Sequence, residues 1–263
     1  MMTASSLVAA DGLHLGYRRC PVFVDATFTV PQGKVALLGP NGAGKSTLME
    51  AVVSLTRPSA GRLTVLGHDT ATAEGRAAIR TETAFLPQQP AYHPGFTVRE
   101  HVEYCGWLKG LKAARLAAAT DEAVAMVGLA SHADRKLGAL SGGMLRRAAI
   151  AATVVARPRL LVLDEPTAGL DPEQRIAFRS ILDALPHETS VLLSTHLVED
   201  VASTCEDIVV LADGSTVFAG SLQNFVRGDA GEGSVTAADL EKAYVAALGS
   251  DVLGGDARGS GAR

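Results

Sequence analysis

The chain carries the run Lys34-Val35-Ala36-Leu37-Leu38-Gly39-Pro40-Asn41-Gly42-Ala43-Gly44-Lys45-Ser46-Thr47, and this run decides the fold. Its first part is a short apolar stretch, typical of a strand that is covered on both faces. Its second part fits the phosphate-loop pattern G-x-x-x-x-G-K-[ST], and helix-compatible residues follow as far as Leu55. An incidental glycine-rich turn is the alternative, and the strand-loop-helix context argues against it.

The loop has the chemistry that a polyphosphate requires. Its glycines let consecutive backbone N–H groups point inward toward the β- and γ-phosphates, and the following helix presents its positive end. Lys45 adds a cation, and the hydroxyl group of Ser46 can bind Mg²⁺. The sequence therefore predicts that residues 39–47 bind the phosphates of a nucleotide.

Apolar runs outside the loop indicate the rest of the sheet. Strand-like segments recur at Leu160–Leu163, Ser190–Leu193 and Ile208–Leu211, and helix-length segments separate them, as in βαβ units of a parallel sheet. Two earlier segments, Leu7–Leu15 and Phe23–Val30, lean toward β structure, and the second alternates apolar and polar residues. These two predict an antiparallel part at the N-terminus.

Helical composition dominates the middle of the chain. Thr97-Val98-Arg99-Glu100 has the spacing of a capping box, and residues 113–129 are rich in Ala, Leu and Glu. A further helix is predicted over residues 142–156. The predicted fold is therefore an α/β P-loop NTPase with a parallel-sheet core, an N-terminal antiparallel β part and a helical insert at about residues 88–156.

The C-terminal part divides into smaller units. We expect the main domain to span residues 5–226, and a polar, glycine-rich linker with a short C-terminal helix to occupy residues 227–249. Residues 250–263 are rich in glycine and poor in apolar side chains, so we predict a disordered tail.

Composition excludes several classes of protein. The 263 residues are 47% hydrophobic and 20% charged, which is typical of a globular chain. A net charge of −4 does not favour binding to nucleic acid. The three cysteines form no CxxC pair, so we expect reduced thiols and no zinc site.

No membrane or secretory segment is expected. The first residues lack the basic start of a signal peptide, and the longest apolar run, residues 148–156, is about half of the ~20 residues that a membrane helix needs. We therefore expect a cytosolic chain whose role at a membrane, if it has one, depends on a partner.

Two adjacent carboxylates end one predicted strand. Asp164 and Glu165 follow the apolar run Leu160–Leu163, and adjacent strand residues point to opposite sides. Asp164 suits the outer shell of Mg²⁺, and Glu165 suits the orientation or deprotonation of an attacking water molecule. The alternative is a solvated Asp-Glu turn before Pro166. The phosphate loop favours the catalytic interpretation.

A histidine ends the next predicted strand. His196 follows residues 191–195, where a parallel sheet delivers side chains to the edge that binds the nucleotide. Its ring can hydrogen-bond the γ-phosphate, and the alternative is an ordinary surface histidine.

With these elements in order, the chain resembles the ATP-binding subunits of ABC transporters. Leu140-Ser141-Gly142-Gly143-Met144 is similar to the family's signature sequence, although Met144 stands where the family usually has Gln. Gln88 stands at the position of the Q-loop glutamine, residues 168–171 resemble the D-loop, and Tyr17 stands where the family stacks a ring on adenine. The resemblance covers about residues 5–249.

The resemblance implies further roles for these residues. Gln88 would take part in catalysis and bind Mg²⁺, and Asp171 would contact the nucleotide. Ser141, Gly142 and Gly143 would close on the ATP held by a second subunit in a head-to-tail dimer. Each of these residues taken alone is also compatible with an ordinary structural role, such as a helix N-cap for Ser141 or a loop amide for Gln88.

The resemblance also implies partners. The insert would dock a transmembrane permease subunit through residues 94–111, which include Trp107, unless this apolar stripe packs inside the insert. Residues 240–244 resemble a C-terminal feature of exporters. The expected function is Mg²⁺-dependent ATP hydrolysis that powers transport, in the export direction, at the cytoplasmic face of a membrane. A soluble ATPase of the same family and a nucleotide-sensing subunit without hydrolysis are the alternatives.

Overall fold

A six-stranded sheet forms the centre of the fold. The structure is a computed structural model, and it describes residues 6–17, 20–228 and 235–254. The strands of this sheet are β3 (Lys34–Leu38), β6 (Thr83–Leu86), β7 (Leu160–Leu163), β8 (Ser190–Ser194), β9 (Asp207–Ala212) and β10 (Ser215–Ser221). Their spatial order is β10-β9-β3-β8-β7-β6. All neighbours from β9 to β6 pair in parallel, and β10 pairs antiparallel to β9, so the predicted parallel core is confirmed.

A smaller antiparallel sheet packs against this core. It contains β1 (Val8–Tyr17), β2 (Cys20–Val30), β4 (Ala60–Val65) and β5 (His68–Asp69) in the order β2-β1-β4-β5. The predicted antiparallel part is therefore confirmed. The two-residue strand β5 was not predicted, because so short a segment has no periodicity.

The helices are α1 (Lys45–Val52), α2 (Ala73–Glu82), α3 (Val98–Leu108), α4 (Ala113–Met126), α5 (Gly142–Val154), α6 (Pro172–Asp183), α7 (Val198–Thr204), α8 (Leu222–Arg227) and α9 (Ala237–Gly254). Helices α3, α4 and α5 pack on one another and form the helical insert. The predicted capping box is present: the Thr97 hydroxyl accepts a hydrogen bond from the Glu100 N–H, and the Glu100 carboxylate accepts one from the Thr97 N–H.

Two apolar cores cover the two faces of the large sheet. Val35 and Leu37 of β3 belong to the core shared with the small sheet and α1, whereas Ala36 and Leu38 belong to the core shared with the insert. All four side chains are at most 1% exposed. Burial on both faces explains why the sequence of β3 contains an unbroken apolar run.

The C-terminal helix differs from the prediction. The sequence predicted a helix that ends by residue 249, whereas α9 continues through Gly249 to Gly254. A single glycine inside a helix costs only about 1 kcal/mol, so Gly249 does not end it. Residues 229–234 of the predicted linker and residues 255–263 of the predicted tail lie outside the described residues.

Two findings bear on the predictions from composition. Cys205 is a buried free thiol and Cys105 a half-buried one, while the side chain of Cys20 lies outside the described part of the chain. Within the described ranges, no helix combines the length and the apolar character that a membrane span requires.

Candidate functional site

Four neighbouring strands deliver the predicted residues to one edge of the sheet. Strands β3, β8, β7 and β6 are adjacent and parallel, so their carboxyl ends lie side by side. The segments that follow these strands are the loop 39–47, residues 195–196, residues 164–165 and residues 87–88. The sheet order therefore brings together residues that are far apart in the sequence, at the edge where nucleotides bind in open α/β sheets.

Glycines fix the path of the loop between β3 and α1. Gly42 and Gly44 have φ angles of 89° and 97°, a region that residues with a Cβ rarely adopt. At Gly44 a Cβ would lie 2.4 Å from Val22 Cγ1 and 2.7 Å from Phe23 Cε2. At Gly39 a Cβ would lie 2.5 Å from the carbonyl oxygen of Leu211. Close packing against β2 and β9 therefore requires glycine at positions 39 and 44.

Lys45 folds back over this loop. Its ammonium group donates hydrogen bonds to the carbonyl oxygens of Gly39, at 2.7 Å, and Pro40, at 3.1 Å. Burial lowers the pKa of this amine, and the negative charges of Glu165 and Asp164 oppose that shift. The loop thus holds a cation within the electrostatic reach of both carboxylates.

The two acidic residues are buried, and one hydroxyl group bonds the carboxylate of the first and the backbone N–H of the second. Asp164 is 5% exposed and Glu165 is 9% exposed, which contradicts the alternative of a solvated turn. Ser194, which is 0% exposed, donates its hydroxyl hydrogen to Asp164 Oδ1 at 2.6 Å. The Ser194 hydroxyl oxygen in turn accepts the backbone N–H of Glu165 at 2.8 Å. One side chain from β8 therefore fixes both residues.

Strand alternation does not separate the roles of Asp164 and Glu165, contrary to the prediction. Strand β7 ends at Leu163, so strand alternation does not apply to Asp164 and Glu165. Instead, Glu165 adopts φ 46°, a left-handed conformation that is uncommon outside glycine. Such conformations persist where the surrounding structure holds them, and they cluster at functional sites.

His196 contacts Glu165 directly. The Nδ1 atom of His196 lies 2.8 Å from Oε2 of Glu165, within hydrogen-bond distance. The imidazole side chain is 56% exposed, whereas the carboxylate side chain is 11% exposed. The pair therefore consists of a buried acid and a histidine open to solvent.

The signature-like segment forms a helix start elsewhere on the chain. Ser141 caps α5, and its hydroxyl accepts the Met144 N–H at 3.4 Å. Ser141 and Gly142 are exposed, and Met144 packs against the apolar core of the insert. Among the hydrogen bonds of the described residues, none joins residues 141–144 to the loop 39–47.

The remaining residues implied by the resemblance lie at the ends of elements. Asp171 caps α6, and its carboxylate accepts hydrogen bonds from the backbone and side-chain amides of Gln174. Gln88 is exposed, and its backbone carbonyl oxygen accepts a hydrogen bond from Arg146. Tyr17 ends β1, and its side chain lies outside the described part of the structure. Their contacts with nucleotide remain predictions.

Two residues at the site were missed by the sequence analysis, Ser194 and Arg146. Ser194 ends an apolar strand directly before Thr195 and His196, and it is 0% exposed. The signal available in the sequence was a polar residue at the end of an apolar run, next to the predicted site residue His196. Arg146 lies one turn into α5, and nothing in its local sequence distinguishes it from the adjacent Arg147.

A groove separates the insert from the sheet. Its volume is about 640 Å³, and its lining includes Phe85, His101, Leu108 and Lys109. Leu108 is 60% exposed, and the neighbouring Trp107, which stacks on Tyr104, is 61% exposed. These exposures contradict packing of the whole predicted stripe inside the insert.

The fold and the site together define a P-loop ATPase domain. Comparison with known proteins then identifies the family. The family model described as "ABC transporter" matches residues 23–168, and the chain belongs to this family. It is an ATP-binding subunit and an ATPase.

Two relatives illustrate the similarity. The chain is 32% identical to the uncharacterized ABC transporter ATP-binding protein YxlF of Bacillus subtilis over 218 residues, which cover 82% of this chain and 72% of that one. It is 34% identical to the Nod factor export ATP-binding protein I of Burkholderia lata over 207 residues, 78% of this chain and 67% of that one.

Solved structures agree with this assignment. An ATP-binding subunit of an ABC transporter matches with TM-score 0.78 and 27% identity, over 92% of this chain and 100% of that chain. A bacterial ABC transporter cassette described as dimeric matches with TM-score 0.73 and 25% identity, over 83% of this chain and 100% of that chain.

Proposed function

We propose that this ATPase binds Mg²⁺ and ATP at the loop 39–47, hydrolyses ATP with Glu165 and closes as a head-to-tail dimer. We further propose that the dimer drives export through a transmembrane permease at the cytoplasmic face of the membrane. The observation that carries this proposal is the convergence of Lys45, Asp164, Glu165 and His196 on one sheet edge beside a glycine-rich loop.

The oxygen donors at this edge fit a magnesium ion. The Ser46 hydroxyl is exposed at the start of α1, and Ser194 orients the Asp164 carboxylate through Oδ1. Hydroxyl, carboxylate and amide oxygens are ligands that Mg²⁺ accepts, so we assign its binding to Ser46, Asp164 and Gln88. When bound, the ion neutralises negative charge on the phosphates.

Each remaining group has a distinct task. The backbone N–H groups at the start of α1 and the ammonium group of Lys45 bind the phosphate oxygens. The Glu165 carboxylate orients the attacking water and accepts its proton, and His196 exchanges its contact with Glu165 for one with the γ-phosphate. The left-handed backbone at Glu165 and its bond to Ser194 hold the carboxylate in place for this step.

Dimer formation accounts for the exposed start of α5. A helix start with a serine hydroxyl and glycine N–H groups attracts an anion, and Lys45 already serves the phosphates within the same chain. Ser141, Gly142 and Gly143 therefore bind ATP of a second subunit, which is either an identical or a related chain. The solved cassette that matches this chain is described as dimeric, which supports the same arrangement.

The groove between insert and sheet is the proposed docking site for the permease. Its apolar lining and the exposed side chains of Trp107 and Leu108 suit an amphipathic helix of a partner. Export is the favoured direction because a relative of this chain is named as an export ATP-binding protein.

Two substitutions test the hydrolytic dimer. Glu165→Gln is expected to abolish phosphate release and to accumulate an ATP-bound dimer in gel filtration. Lys45→Ala is expected to lose ATP binding in calorimetry. Glu188→Gln replaces an exposed acid outside the site and serves as the control. Normal turnover in the Glu165→Gln or the Lys45→Ala variant would contradict the mechanism.

A separate experiment tests the partner. Purified chain is mixed with membranes that contain a candidate permease subunit, and sedimentation measures binding. Wild-type chain is expected to sediment, and a Trp107→Asp, Leu108→Asp double variant is expected to stay in solution while keeping its basal ATPase activity. Equal sedimentation of both proteins would exclude the groove as the docking site.

A further inference from the structure

Arg146 has an unusually complete set of hydrogen bonds. All three nitrogen atoms of its guanidinium group donate, and every acceptor is a backbone carbonyl oxygen between 3.0 and 3.3 Å away. The acceptors belong to Pro87, Gln88, Asp164, Glu165 and Pro166. A guanidinium group has five N–H donors, so its hydrogen-bonding capacity is fully used.

These bonds connect three parts of the fold. Arg146 belongs to α5, the helix that begins at Ser141. Two of its acceptors lie in the segment after β6, which carries Gln88, and three lie in the segment after β7, which carries Glu165. A shift of either segment therefore strains its bonds to the guanidinium group unless α5 shifts with it.

The adjacent arginine has a different role. Arg147 donates to the carbonyl oxygens of Val127 and Gly128, which follow α4 inside the helical insert. It holds the insert together and makes no such bond to residues 87–88 or 164–166 in the described part of the chain. Because Arg146 and Arg147 are both arginines on the same helix, comparing their variants shows the effect of position alone.

We propose that Arg146 is a positioning residue that couples the two ATP sites of the dimer. This inference rests on the dimer proposed above, in which the start of α5 serves the nucleotide of the partner subunit. Gln88 and Glu165 serve the nucleotide of their own subunit. Because Arg146 ties α5 to the backbone of both residues, occupancy of one site alters the helix start that completes the other site. Coupling of this kind requires an element on which both sites act, and α5 is that element.

The test compares three substitutions in the full-length chain. Arg146→Met removes all five hydrogen bonds but retains an unbranched apolar side chain. Arg146→Lys keeps the charge, but three N–H donors on one nitrogen cannot replace a planar group with five. Arg147→Met is the matched control on the same helix. The measurements are ATPase rate against ATP concentration with its Hill coefficient, ATP affinity in calorimetry, and thermal unfolding.

We expect wild-type chain and Arg147→Met to hydrolyse ATP with a Hill coefficient above one. For Arg146→Met we expect a Hill coefficient close to one and a kcat reduced about tenfold, because the backbone at Gln88 and Glu165 loses a restraint and positioned groups lose rate when they shift. Its ATP affinity should stay within about twofold of wild type, because the loop and Lys45 are unchanged. Arg146→Lys should show the same pattern in weaker form, and it carries the test if Arg146→Met fails to fold.

The outcomes separate the two proposals. Retained cooperativity in a folded Arg146 variant would overturn this inference and leave the hydrolytic dimer intact. A wild-type chain that hydrolyses ATP without cooperativity and stays monomeric with Glu165→Gln would overturn the dimer and, with it, the coupling. If Arg146→Met and Arg147→Met lose kcat and cooperativity to the same extent, Arg146 has a purely structural role, and this result would also overturn the inference.

Discussion

Ser194→Ala is expected to damage the site more than its small change in volume suggests. The wild-type hydroxyl donates to a carboxylate at 2.6 Å and accepts the Glu165 N–H at 2.8 Å, in a place that is 0% exposed. The variant loses a hydrogen bond to a charged group and leaves the Glu165 N–H buried without a partner. Together these losses cost about 2–4 kcal/mol in the free energy of unfolding. In a domain of this size the corresponding decrease in Tm is about 5–10 °C.

In Ser194→Ala, the rate of ATP hydrolysis should decrease more than the affinity for ATP. Ser194 restrains the left-handed backbone at Glu165, and a displacement of about 1 Å at a catalytic group can cost about 100-fold in rate. We expect kcat to fall at least about tenfold, while the affinity for ATP without Mg²⁺ changes less than about threefold because Lys45 and the loop are intact.

The assays are urea denaturation, calorimetry with ATP and a phosphate-release measurement. The control is Ser203→Ala, because this exposed serine donates only to carbonyl oxygens within its own helix. The control should stay within about 0.5 kcal/mol of wild type. If Ser194→Ala has the stability and kcat of that control, the hydroxyl does not position the acids and the argument fails.

Three further predictions concern the loop, the insert and a thiol. Gly44→Ala should lower the free energy of unfolding by more than about 3 kcal/mol and abolish ATP binding, because the new Cβ would lie 2.4 Å from Val22 Cγ1. The new Cβ of Gly42→Ala meets no atom within 4 Å, so this variant should lose only about 1–2 kcal/mol in urea denaturation. Thr97→Ala removes the cap of α3 and should lower the unfolding free energy by about 1 kcal/mol, with no change in ATP affinity. Burial raises the pKa of the Cys205 thiol from 9.0 to about 12, so iodoacetamide at pH 8 should leave this thiol unmodified in the folded chain. The free energy of unfolding should decrease as the pH rises from 9 toward 12, because in that range only the unfolded chain releases the proton. Rapid labelling before unfolding would contradict the burial.

Local sequence was sufficient wherever neighbouring residues decide the structure. The bounds of Lys34–Leu38 and Leu160–Leu163 were predicted without error, because burial on both faces requires an unbroken apolar run. The capping box at Thr97 was predicted for the same kind of reason, since its partners are three residues apart. The loop 39–47 was recognised because its glycines and lysine follow one another in the chain.

Long-range contacts escaped prediction. The acceptors of Arg146 lie 18 to 59 residues away along the chain, and its local sequence resembles that of Arg147. The link from Ser194 to the acids spans about 30 residues and depends on β8 lying beside β7. The order of strands in a sheet is a property of packing, and helix or strand periodicity contains no information about it.

The sequence by itself determined the phosphate loop, the alternation of strands and helices, and the residue types that can bind Mg²⁺ and activate water. Only the tertiary structure decided which of these groups meet and what holds them there: a buried serine between two acids, a left-handed Glu165, and an arginine that spans five carbonyl groups. The physical reason is that hydrogen bonds act over about 3 Å of space regardless of separation along the chain, so their partners exist only once the sheet has assembled.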